Sequence, residues 1–281
     1  MAEIFYYDGA WLDENPRLTG PMDHAFWMSS VVFDGARAFN GLAPDLDRHC
    51  ARIIVSAGRM MLKPKLSAEQ VTELCRQAIR KFPKEVELYI RPMFFARSGF
   101  LTPDADSTEF VLAVYEQALP GFNGFTACRS SHRRPARDMA PTDAKASCLY
   151  PNVARILAEA NGRGFDNAVV LDASSNVAEF ATANLWIAKD GVAITPVPNG
   201  TFLNGITRQR VITLLREAGV EVRERAITFD EVMGADEVFS SGNYGKVMPV
   251  TRVEERDFQP GPIFNQAKEL YFKFAESSSV V

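Results

Sequence analysis

Ala144-Lys145-Ala146-Ser147-Cys148-Leu149-Tyr150 carries one charged side chain in an otherwise uncharged run. An amine that attacks a carbonyl must spend part of its time unprotonated. Burial in such a run and a phenol neighbour at Tyr150 would both act on the pKa of Lys145. Most lysines instead lay their stems along apolar surface and keep the ammonium in water, so the run does not decide the matter alone. Two later stretches bear on it. Val177-Ala178-Glu179-Phe180 sets a carboxylate in an apolar, strand-like context, where a strand-end glutamate facing water is the plain alternative. Leu203-Asn204-Gly205-Ile206-Thr207-Arg208 reads as a turn opening a helix at Thr207, whose free N–H groups and hydroxyl suit a dianionic phosphate. Its plain alternative is an ordinary threonine N-cap.

Outside these stretches the chain is an average globular sequence. Its 281 residues exceed what one core usually holds, which predicts two domains. A net charge of −4 gives no basic excess for nucleic acid. No apolar run is long enough to span a bilayer, and Met1-Ala2-Glu3-Ile4-Phe5 lacks a basic segment leading into an apolar one, so a cytoplasmic location is expected. Cys50, Cys75, Cys128 and Cys148 form no CxxC pair and read as reduced thiols. His24, His49 and His132 are too dispersed for a metal cluster, and none is expected.

The first part of the chain alternates strands and helices. Phe5-Tyr6-Tyr7 runs into the turn Asp8-Gly9, and Val31-Val32-Phe33 into Asp34-Gly35. Helices are predicted over about 47–61 and after an N-cap at Ser67, with strands over 87–95 and 109–115. Pro120, Gly121 and Gly124 crowd one segment and mark a linker over 118–125. Beyond it, helices are predicted over 151–161, 207–218 and 262–276, and strands over 168–171, 185–188, 220–222 and 237–239. The fold class is α/β (mixed α+β): a smaller N-terminal domain over 1–117 and a larger C-terminal domain over 126–281, with a cleft between them.

Lysine, carboxylate and phosphate-sized helix terminus, in that order, are the parts a pyridoxal phosphate (PLP) site needs. Arg52, on the first long helix, adds a candidate fixed charge for the phosphate. The motifs Phe33-Asp34-Gly35-Ala36-Arg37, His49-Cys50-Ala51-Arg52 and Tyr89-Ile90-Arg91-Pro92 join Ala144-Lys145 with Tyr150 and Glu179 with Asn184. The Leu203–Arg208 block, Ala235-Asp236-Glu237-Val238-Phe239 and Pro249-Val250 complete the set. In these motifs the chain resembles, over nearly its whole length, the class IV aminotransferases, the fold type IV PLP enzymes. It is most similar to their branched-chain amino-acid branch.

The resemblance implies roles residue by residue. Lys145 binds the cofactor covalently and moves the proton at the substrate Cα. Tyr150 bonds the ring oxygen, and Glu179 holds the pyridine nitrogen. Arg52, Ile206 and Thr207 bind phosphate, and Leu203 packs on the ring. Phe33, Arg37, Tyr89 and Arg91 line the substrate side. A loop of a partner subunit completes the site, which implies a homodimer. The expected reaction moves an amino group from a hydrophobic or branched-chain amino acid to a 2-oxo acid such as 2-oxoglutarate. The chain departs from the branched-chain pattern at Asn243-Tyr244, where Thr-Ala is usual, at Met28-Ser29, and at Ser147-Cys148, where a glycine pair is common. Asn243 can still donate a hydrogen bond to the cofactor, and Tyr244 adds bulk on the substrate side. An (R)-selective amine or D-amino-acid transaminase, and an aminodeoxychorismate lyase, stand as alternatives on the same fold.

Overall fold

The computed structural model describes residues 2–278. Met1, at the start of the first expected domain, and residues 279–281, at the end of the second, lie outside the described residues. The chain divides into two compact units. The first holds residues 2–119, Asp143–Leu149 and 275–278; the second holds Pro120–Thr142 and Tyr150–Phe274.

The first unit runs β1 (Glu3–Tyr7), β2 (Ala10–Leu12), α1 (His24–Met28), β3 (Val31–Phe33), β4 (Ala36–Ala38), α2 (Leu46–Arg59), α3 (Ala68–Ile79), β5 (Leu88–Ala96) and β6 (Thr108–Glu116). Its strands form one antiparallel sheet in the order β2-β1-β6-β5-β3, with β4 also on β5. Asp8 and Gly9 both take positive φ, 48° and 79°, which closes the β1–β2 hairpin with strands of matching twist. Leu46, Cys50, Ile53 and Ala57 recur along one face of α2, and Val71, Cys75 and Ala78 along one face of α3. These faces share a core with Ile90, Leu112 and Val114 of the sheet. Ser67 and Gln70 exchange side-chain bonds with each other's backbone N–H, which fixes where α3 starts.

A contiguous division at the linker fails in two respects, since both Asp143–Leu149 and residues 275–278 group with the first unit. Asp143–Leu149 belongs to the first unit, because Ala144 and Ala146 are wholly buried in the same core as Val32, Ile53 and Ile90. Ala146 bridges Val32, and Phe33 N–H donates to the Lys145 carbonyl at 3.1 Å.

The second unit runs β7 (Phe125–Arg133), α4 (Tyr150–Gly162), β8 (Asn167–Leu171), β9 (Val177–Phe180), β10 (Asn184–Lys189), β11 (Val192–Pro196), α5 (Ile206–Glu217), β12 (Val222–Arg225), α6 (Phe229–Met233), β13 (Glu237–Gly242), β14 (Lys246–Val253), β15 (Arg256–Asp257) and α7 (Pro262–Glu276). Its mixed sheet has the order β12-β11-β10-β13-β14-β7-β8-β9, with β15 on β14. The strand expected over 220–222 begins at Val222 instead, since Gly219 at φ 80° and Val220 still close α5. Alternation along β10 sends Leu185 and Ile187 to one core and Trp186 and Ala188 to another. Trp186 stacks on Phe239 at 5.5 Å and, with Val211, Leu215 and Tyr271, seats α5 and α7 on the sheet. Among the described residues no helix is long and apolar enough to cross a membrane.

Candidate active site

Lys145 is held by its backbone. Its N–H donates to Ser56 Oγ at 3.1 Å, and its carbonyl accepts from Phe33. With Ala144 and Ala146 sunk in the core, the side chain between them is half-buried, and Nζ lies 4.7 Å from the centre of the Phe33 ring. This is neither a solvated lysine nor a sealed one. Its amine stands against an aromatic face on a segment pinned by three flanking contacts.

Asp34, beside Phe33, is wholly buried, accepts from Gly35 N–H at 2.7 Å and gathers two side chains. Arg52 gives it two parallel bonds, Nε at 2.7 Å and Nη2 at 2.8 Å, and His49 Nδ1 lies 2.7 Å away. A carboxylate only accepts, so Nδ1 of His49 carries the proton. Burial alone would push the Asp34 carboxyl up; the Arg52 guanidinium and His49 override it and hold the group well below the usual carboxylate range. The folded-state pKa is therefore below that of the unfolded chain. Its contribution to stability is present above about pH 4 and is lost as the pH falls beneath that. Asp34→Asn is expected to cost about 2 kcal/mol at neutral pH. Urea denaturation should show the gap between wild type and variant closing in acid.

In the second unit Asn184 joins β9 to the segment that opens α5. Its Nδ2 donates to Glu179 Oε2 at 3.2 Å and to the Leu203 carbonyl at 3.0 Å, and its Oδ1 accepts from Gly205 N–H at 3.1 Å. Glu179 is buried in β9 rather than facing water, and Arg134 Nη2 reaches its Oε1 at 3.0 Å. The helix α5 starts at Ile206 with Gly205 as N-cap, so Thr207 lies inside the helix and is not the cap. Ile206 and Thr207 are both buried in this first turn, where an α-helix has no internal acceptor for its N–H groups. A Cβ on Gly205 would stand 2.1 Å from Asn184 Oδ1, although its φ of −59° suits any residue. Gly205→Ala is thus expected to displace Asn184 and cost about 1–3 kcal/mol. A thermal melt with and without PLP checks this, and the ligand-induced rise in Tm should shrink as well.

The remaining expected residues fall as follows. On the first sheet Tyr89 stacks on Tyr115 at 5.5 Å, with the Arg91 guanidinium 5.2 Å from both ring centres and donating to the Tyr115 hydroxyl. Arg37 is wholly buried, lies 5.8 Å from the Tyr89 ring centre and donates to the Gln117 carbonyl. In the second unit Tyr150 opens α4 and is exposed, and Leu203 is half-buried. Tyr244 is 57% exposed at the β13–β14 turn. Asn243 Oδ1 accepts from Lys246 Nζ at 2.9 Å, while its Nδ2 is buried with no hydrogen-bond partner among the described residues.

The profile of the class IV amino-transferases matches residues 31–253. The chain belongs to the class IV aminotransferases. Among other members of that family, the chain is 35% identical to a probable branched-chain-amino-acid aminotransferase of Aquifex aeolicus, over 89% of this chain and 85% of that protein. It is 33% identical to the branched-chain-amino-acid aminotransferase of Pseudomonas aeruginosa, over 96% and 92%. An aminotransferase from Brucella abortus, solved bound to the cofactor PLP, superposes with a TM-score of 0.97 at 46% identity, over 98% and 100%. The Escherichia coli branched-chain enzyme does so at 0.91 and 30%, over 99% and 96%.

Four supporting residues had no role in the sequence reading: Ser56 and Arg134, which it did not name, and Asp34 and Arg208, which it quoted only within motifs. Arg208 belongs to the quoted block but had no role. It is wholly buried, and its guanidinium binds Thr195 Oγ1, Asn204 Oδ1, the Pro196 carbonyl and Glu224, which clamps the start of α5 to β11 and β12.

Proposed function

We propose that this aminotransferase moves the amino group of a hydrophobic or branched-chain L-amino acid to a 2-oxo acid such as 2-oxoglutarate. The relatives named above support the branched-chain assignment. The single observation that carries the cofactor assignment is Asn184, which ties the buried Glu179 to the first turn of α5. A carboxylate for a protonated ring nitrogen and a helix terminus for a phosphate are thereby fixed relative to each other. The residues fit PLP further in one respect: the buried amide of Asn243 holds a donor that lacks an acceptor among the described residues, two residues past Ser241, the register partner of Asn184.

When bound, PLP supplies a carbonyl that takes the amino group and a ring that withdraws electrons from the substrate Cα. The chain's residues do the rest. Lys145 Nζ would hold the cofactor covalently and would carry the proton to and from the substrate Cα. Glu179, its two oxygens bonded by Arg134 and Asn184, would hold the ring nitrogen. Tyr150 bonds the ring oxygen, and Leu203 supports the ring. Arg52, aimed by Asp34, acts with Ile206, Thr207 and Asn243 on the phosphate. Phe33, Arg37, Tyr89, Arg91 and Tyr244 contact substrate.

Two further readings belong to this proposal. The exposed apolar side chains Phe26, Trp27, Phe100 and Leu101 gather in the first unit, with Trp27 and Phe100 at 5.9 Å. Such a patch supports a homodimer. Four free cysteines fit a reducing cytoplasm.

A donor panel with 2-oxoglutarate as acceptor tests the substrate. L-leucine, L-isoleucine and L-valine are expected to exceed their D-enantiomers in kcat/KM by at least about 100-fold. Preference for D-amino acids or an (R)-amine would overturn the branched-chain reading.

A further inference from the structure

Lys246 is the side chain whose placement nothing above explains. It follows the three-residue turn Asn243-Tyr244-Gly245 and opens β14, opposite Gly242. Its φ is 61°, in the left-handed region. Hairpin loops of this length commonly need one such residue after the turn, and glycine fills it at no steric cost. Here a lysine fills it, and its side chain is 1% exposed. Burying an amine is costly unless it is bonded. Its Nζ lies 2.9 Å from Asn243 Oδ1 and 5.8 Å from the centre of the Tyr271 ring.

The geometry points to Lys246 as a positioning residue that fixes which way the Asn243 amide faces. An asparagine amide can turn over and exchange oxygen for nitrogen with little change of shape. A lysine ammonium only donates, so it admits only the amide oxygen. Asn243 Nδ2 is then forced to the other side, where it is buried and has no hydrogen-bond partner among the described residues. A buried donor without an acceptor is unfavourable until one arrives, and it suits an anion best. The turn sits where a phosphate is expected. Ser241, two residues before Asn243, is the register partner of Asn184, which holds the N-cap of α5. Lys246 thus makes Asn243 a dedicated phosphate donor. The inference rests on the reading that Asn243 meets the cofactor phosphate.

The test is the dissociation constant of PLP from the apo-enzyme, by fluorescence titration, in two backgrounds. Lys246→Met in the native background is expected to raise Kd about tenfold. In an Asn243→Thr background the same change should leave Kd within about twofold, because a hydroxyl rotates to donate without help. Asn243→Ala should raise Kd about tenfold. Apo-enzyme Tm is read for every variant. If Lys246→Met is too unstable to titrate, Lys246→Gln takes its place, with about a threefold rise in the native background alone. An equal rise in both backgrounds means that Lys246 only supports the fold, and overturns the inference. So does an unchanged Kd for Lys246→Met while Asn243→Ala weakens binding. If Asn243→Ala itself leaves Kd unchanged, the placement of Asn243 at the phosphate is wrong and the inference falls with it.

Discussion

Lys145→Ala is expected to lower amino transfer by at least about 1,000-fold, the scale lost when a positioned proton carrier is removed. The protein should remain folded. The contacts that hold the segment run through the Lys145 backbone to Ser56 and Phe33 and through the buried methyls of Ala144 and Ala146, and none is lost on truncation. The apo-enzyme Tm should move by no more than a few degrees. PLP should still bind, since the phosphate and ring-nitrogen contacts are proposed for other residues. Activity above a hundredth of wild type would remove Lys145 from its role.

Glu179→Gln should produce the second largest loss, about 100-fold to 1,000-fold in kcat, the scale of deleting one oriented electrostatic group. An amide cannot stabilise a protonated ring nitrogen as a carboxylate does, so the electron sink weakens. PLP content should fall much less than the rate. The structure adds a second consequence. Arg134 would keep a largely buried guanidinium opposite a neutral group, so stability should drop too, by about 1–3 kcal/mol. A double change, Glu179→Gln with Arg134→Met, is expected to recover much of the stability and none of the rate. Steady-state kinetics and thermal melts on the three variants separate the two effects.

The buried settings of Lys145 and Glu179 were only partly legible: their apolar neighbours hint at them, but those neighbours alone left a solvated lysine and a water-facing glutamate standing. Lys145 lies between two alanines that enter the core, and Glu179 between apolar residues of a buried strand. Their supporting partners carry no local mark. Asp34 reaches Arg52 and His49 across a turn and a helix, and Arg134 sits beside Arg133 in what reads as a charged surface run. The strand β7 was missed for a similar reason: its arginines, serines and histidine hide an alternation in which only Ala127, Cys128 and Ser130 are buried. The strand β11 had a usable signal, since Val192–Pro196 follows the Asp190-Gly191 turn and completes a hairpin with β10. The place of Asp143–Leu149 in the first unit was not legible, because it depends on which core receives Ala144 and Ala146, and both cores offer apolar surface.

The central claim is that Lys145 is the residue to which PLP becomes attached. It is tested most directly by reducing the PLP-loaded enzyme with borohydride, digesting it and locating the pyridoxyl group by mass spectrometry. The account predicts one modified peptide, carrying the group on Lys145. A pyridoxyl group on Lys246 or any other lysine, or loaded enzyme with no covalent adduct at all, would contradict it.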